Sequence, residues 1–134
     1  MEVLNYISLL FILIAGVAKG SMDELTFHYR KSIFAKFNPK WWNPGLSWRN
    51  KYVHTDDMIT TLKPRFFGST SFLSFTTDAW HFFQFIYLTM IGLSIVFYVP
   101  ITQWWYVDFI ILRFALWIGF ILIYKDYTKK FNFK

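Results

Sequence analysis

Four side chains able to carry protons or bind a metal fall at helical spacings beside apolar runs. Asp78 and His81 are three residues apart, and Glu24 and His28 are four apart. Residues so spaced share a helix face, so each pair could pass a proton or offer a carboxylate and an imidazole to an ion. If the two helix starts met, Glu24, His28, Asp78 and His81 would form a four-ligand centre for zinc or iron, with Asp23 alongside. Such spacings are far less specific than a motif like H-E-x-x-H. An aspartate in the first turn of a helix also acts as a cap, here with Thr76 or Thr77 beside it. Capping is therefore the preferred reading of Asp78, and no cofactor the preferred expectation. His54 reads as a solvated loop tip.

Asp108 and Arg113 pose a different problem, because both fall inside the last apolar run. A mid-membrane arginine costs at least about 2.5 kcal/mol on insertion scales unless it is paired or reaches the interface. Asp108 is five residues away, about 140° around a helix, which makes a bridge between them awkward. Arg113 is expected to take backbone carbonyls, a lipid phosphate, Asp108 at a stretch, or a second subunit. An oligomer or a larger membrane complex is thus an expected partner.

Other chemistries find no support. There is no G-x-S-x-G elbow, phosphate-cradling glycine loop or G-x-G-x-x-G, and the absence of cysteine removes thiolate nucleophiles, thiolate metal sites and disulfides. The composition points to lipid as solvent. Of 134 residues, 55% are hydrophobic and 24% aromatic, more than a domain this small can bury. The net charge of +6 is read as setting topology and meeting anionic lipid, with no specific nucleic-acid binding.

The elements that must position these residues follow from the pattern. The chain reads as a single all-α integral membrane domain over 1–134, with three transmembrane helices: one N-terminal span at about 3–19 and a C-terminal hairpin at 77–99 and 103–124. Residues 3–18 are read as a retained anchor, since the first five residues lack the basic start of a signal peptide. Gly20-Ser21 is expected to interrupt the helix, and Ser21 with Glu24 has the form of a capping box opening an interfacial helix over about 21–37. Residues 38–76 carry prolines at 39, 44 and 64 and glycines at 45 and 68. They read as an ordered loop poor in regular structure. Its Trp41, Trp42, Trp48, Arg49, Lys51, Lys63 and Arg65 are the expected lipid or partner contacts. Gly92 and Ser94, with Ala115 and Gly119, are expected to let the two hairpin spans approach closely.

Charge orients this arrangement. Nine of the fourteen lysines and arginines lie between Lys19 and Arg65, four more are Lys125, Lys129, Lys130 and Lys134, and the tip between Tyr98 and Trp104 has none. The positive-inside rule places residues 19–76 and the C-terminus in the cytoplasm and the N-terminus outside.

Three stretches, Trp-Trp-Asn-Pro-Gly-Leu-Ser-Trp-Arg-Asn-Lys-Tyr at 41–52, Phe-Phe-Gly-Ser-Thr at 66–70 and Thr-Asp-Ala-Trp-His-Phe-Phe-Gln at 77–84, resemble small integral membrane proteins of Bacteroidota and their phages. The resemblance covers about a third of the chain. It implies only a small integral membrane protein and assigns no residue a role; the expected location is a bacterial inner membrane.

The expected function is non-enzymatic: a structural or accessory membrane subunit whose cytoplasmic loop contacts anionic lipid or a partner protein. The alternative is a metal-dependent enzyme or redox protein at the interface, using the Asp/Glu/His cluster. A holin-like pore former is a second alternative, which the long aromatic loop fits less well.

Overall fold

The computed structural model describes residues 6–54 and 60–124. The chain is mostly helical. Three long helices, α1 (Ile7–Phe27), α4 (Ala79–Val96) and α5 (Trp105–Ile123), are joined by shorter elements that include α2 (Pro39–Trp42), α3 (Pro44–Ser47) and the strands β1 (Tyr52–His54) and β2 (Thr60–Pro64). The all-α expectation is corrected to this extent: β1 and β2 form a small antiparallel pair, with Tyr52 opposite Pro64 and His54 opposite Thr60.

Two of the helices, α4 and α5, are long and apolar enough to cross a membrane. Only 11% and 17% of their apolar windows are buried in the protein, so they are not the covered core of a water-soluble domain. Both are compatible with membrane insertion. α1 has 21 residues and carries Lys19, Asp23 and Glu24 toward its C-terminal end. The tail lysines Lys125, Lys129, Lys130 and Lys134 lie outside the described residues.

The expected break at Gly20-Ser21 does not occur. α1 runs through it, and Ser21 is no N-cap, because its Oγ donates back to the Val17 carbonyl at 2.9 Å in the bonding pattern of a serine inside a helix. The helix ends at Phe27 instead. Beyond it, single turns of 3-10 helix at Tyr29–Lys31 and Ile33–Lys36 replace the expected interfacial helix. Ser32 is the local cause: its Oγ donates to the Tyr29 carbonyl at 2.8 Å and accepts from the Phe34 N–H at 3.2 Å, closing one turn and capping the next.

The chain divides into two compact units, residues 1–21 with 86–134 and residues 22–85. In the first, α1 packs on α5 through glycine. A Cβ on Gly16 would collide with the Leu116 carbonyl oxygen, one on Gly119 with the Leu13 carbonyl oxygen, and one on Gly20 would lie 2.6 Å from the Phe120 carbonyl oxygen. Gly16 and Gly20 form a G-x-x-x-G pair, whose bare surface lets helix backbones meet. The expected use of Gly92 in a close approach is thereby corrected. Gly92 has nothing within 4 Å of where its Cβ would stand, Ser94 Oγ donates to its own helix at the Ile91 carbonyl, and Ala115 and Gly119 are buried on the face of α5 that carries the α1 contact.

The second unit holds an aromatic core. Phe34, 5% exposed, stacks on Trp42 at 5.1 Å and meets Phe83 at 5.9 Å. Such pairs contribute beyond the area they bury. The Asn-Pro dipeptides at 38–39 and 43–44, in a stretch expected to be poor in regular structure, are helix starts. Asn38 and Asn43 each accept a backbone N–H two residues on, from Lys40 and Gly45, while Pro39 and Pro44 occupy the first helical position, where a missing N–H costs nothing.

Candidate functional site

The polar centre of the second unit grows from the start of α4. Asp78 precedes the helix, and its Oδ1 accepts the His81 N–H at 3.0 Å, the N-cap geometry expected of it. The turn keeps His81 over Asp78: Nδ1 lies 2.8 Å from Oδ1 and 2.9 Å from Oδ2. Thr77 Oγ1 adds a bond to Asp78 Oδ2 at 3.1 Å. Burial by itself would raise the Asp78 carboxyl, but the His81 side chain and backbone N–H, together with Thr77, outweigh it and hold the group below the usual carboxylate range.

The third member comes from the loop. Lys51 Nζ lies 2.8 Å from His81 Nε2. With the ring proton on Nδ1, the imidazole donates to Asp78 and accepts from the Lys51 ammonium, which satisfies both nitrogens. Neighbouring bonds fix Lys51. Its carbonyl accepts from Ser69 Oγ and the Arg65 N–H, both at 2.8 Å, and Asn50 Nδ2 ties the Lys40 and Thr77 carbonyls at 2.7 and 2.8 Å. The array can pass a proton between an ammonium and a carboxylate through the ring. Lys51, expected at lipid headgroups, is thus engaged inside the fold, and a metal at His81 Nε2 would have to displace it. Sequence spacing signals Asp78 with His81, but nothing local signals Lys51, thirty residues away.

Glu24 and His28 are the other expected ligands. Glu24 is buried and the His28 N–H donates to its carbonyl at 2.9 Å. Among the described residues, no three His, Asp or Glu side chains gather as a metal-binding group.

The expected lipid contacts divide into packed and exposed sets. Trp42 belongs to the aromatic core and Trp41 is half-buried. Trp48, Arg49, Lys63 and Arg65 are exposed, and the Arg49 guanidinium lies 5.6 Å from the Trp48 ring. Beside Arg65, Phe67 is 85% and Phe72 64% exposed, with their rings edge to face at 5.7 Å. The turn between them requires Gly68, whose φ is +81°. A cleft of about 450 Å³ in the same unit is lined by His28, Tyr29, Arg30, Lys31, Asn43 and Pro44 among others. The cleft adds basic groups that composition alone does not single out.

In the first unit, Asp108 is 1% exposed and its carboxylate organises the connection before α5. It accepts from Tyr98 Oη at 2.7 Å, the Ile101 N–H at 2.9 Å, and Thr102 through its N–H at 2.8 Å and its Oγ1 at 2.7 Å. Arg113 is exposed and, with Phe114 and Trp117, lines a shallow hollow of about 260 Å³.

No protein-family model matches this chain, and no curated protein or solved structure shows significant similarity to it.

Proposed function

We propose that this chain is a non-enzymatic integral membrane protein, an accessory subunit whose 38–76 region rests on anionic lipid headgroups. The observation that carries the reading is the exposure of Phe67 and Phe72 beside Arg65, with Lys63 and Arg49 also exposed. Aromatic rings left to water are unfavourable, whereas at a membrane interface the ring enters the apolar boundary and the cation meets phosphate. In this reading α1, α4 and α5 all span, the N-terminus lies outside, and residues 19–76 and the C-terminus are cytoplasmic, as the distribution of basic residues favours. A bacterial inner membrane is the expected setting.

The test compares amide hydrogen exchange over 63–72 for the full-length protein in nanodiscs of phosphatidylcholine with and without phosphatidylglycerol. Protection is expected to rise with the anionic lipid and to fall back when Arg49, Lys63 and Arg65 become glutamine. Lys51 stays in place because His81 depends on it. Equal exchange in both discs removes the proposal.

A further inference from the structure

The geometry points to the Arg113 face of α5 as the docking surface for a transmembrane helix of another protein, one that carries a carboxylate at mid-membrane depth. This rests on α5 spanning the bilayer but not on headgroup contact by the 38–76 region. Arg113 is the ninth of the nineteen residues of α5, about 12 Å from one helix end and about 15 Å from the other at about 1.5 Å per residue. It therefore sits near the centre of a hydrocarbon layer about 30 Å thick. An ionised side chain there demands a partner.

Among the described residues, no acid is available at that depth. Asp108, Ala115 and Gly119 are the buried residues of α5, and at about 100° per residue Arg113 projects about 140° from the middle of that stripe. Asp108 already takes four hydrogen bonds from Tyr98, Ile101 and Thr102. A second copy fits no better. α4 contains no acid, the acids of α1 are Asp23 and Glu24 near its C-terminal end, and Asp108 is the one acid in α5. Two copies side by side would set arginine against arginine. The hollow lined by Arg113, Phe114 and Trp117 offers an incoming carboxylate a cation with two aromatic neighbours.

The test places full-length protein in phosphatidylcholine vesicles with a leucine-rich transmembrane peptide bearing either glutamate or leucine at its midpoint, and reads association by energy transfer. The glutamate peptide is expected to associate about tenfold more tightly, a size typical of interhelical polar contacts, and Arg113→Leu should abolish that preference. Arg113→Lys should retain part of it. Equal association of the two peptides, or a preference undiminished in Arg113→Leu, overturns the inference. So does an Arg113-dependent dimer of the protein alone, which would make a second copy the occupant. These vesicles hold no anionic lipid, so the outcome is independent of headgroup binding.

Discussion

Asp78 and Lys51 hold opposite sides of one imidazole. His81 Nδ1 meets Asp78 Oδ1 at 2.8 Å, and His81 Nε2 meets Lys51 Nζ at 2.8 Å. A helix cap made by the chain's local geometry is thereby tied to Lys51, which lies thirty positions before His81. Removing the carboxylate should be felt in both places.

Asp78→Ala is expected to cost about 1–2 kcal/mol, the upper part of the range for a lost N-cap, because His81 also loses its anchor. Asp78→Asn keeps an acceptor for the His81 N–H and should cost less. Hydrogen exchange of the full-length protein in detergent micelles reads this directly. Faster exchange in Asp78→Ala should appear at residues 79–83 and at 50–52 together. A change confined to the first turn of α4 would show that the loop does not depend on the array.

The same carboxylate sets an acid limit. Its folded-state value lies below the ordinary one, so the stability it contributes is complete above the unfolded carboxylate value of about 3.9. It is lost as the pH falls through the lower folded value. Opening of the 50–52 and 79–83 segments should therefore steepen below about pH 4 in the native protein. Asp78→Asn should flatten that part of the pH profile, and an unchanged profile would assign acid sensitivity to other groups.

Glycines in the helices should divide sharply by position. Gly16→Ala and Gly119→Ala force a methyl against backbone and are expected to cost about 1–3 kcal/mol or to separate α1 from α5. Gly92→Ala meets open space and should be neutral or stabilise α4 by up to about 1 kcal/mol. Unfolding midpoints in a mild detergent, compared across the three variants, test this order.

Asp108→Asn replaces an acceptor-only group with an amide whose NH₂ faces donors. A loss of about 1–3 kcal/mol is expected, with Tyr98→Phe costing about 1 kcal/mol or less. Proteolytic sensitivity of the 97–104 connection should follow the same order. If Asp108→Asn is silent, the carboxylate does not organise that connection.

The sequence by itself determined the features governed by local chemistry. The apolar stretches that become α4 and α5 announced themselves by length and hydropathy. Asp78 was legible as a cap because an N-cap bond spans three residues, and its pairing with His81 followed from the same turn. The Asn-Pro dipeptides carried the signature of helix starts as plainly as that of breaks, and only the backbone showed which applied. Gly20 was read as a break, and only the approach of α5 shows that Gly16 and Gly20 form a packing face.

Tertiary structure decided the rest because those choices depend on what lies across a gap. Gly20-Ser21 stays helical because α5 approaches closely enough to need a bare glycine surface there. Asp108 is buried under Tyr98, Ile101 and Thr102 while Arg113 is exposed on the same helix, a difference fixed by how the connection before α5 folds back. Lys51 looks like a headgroup contact in sequence and becomes a hydrogen-bond partner of His81 once the fold brings residues 51 and 81 together. Spacing along a helix can be read locally, whereas identifying the group that completes a charge requires the packed chain.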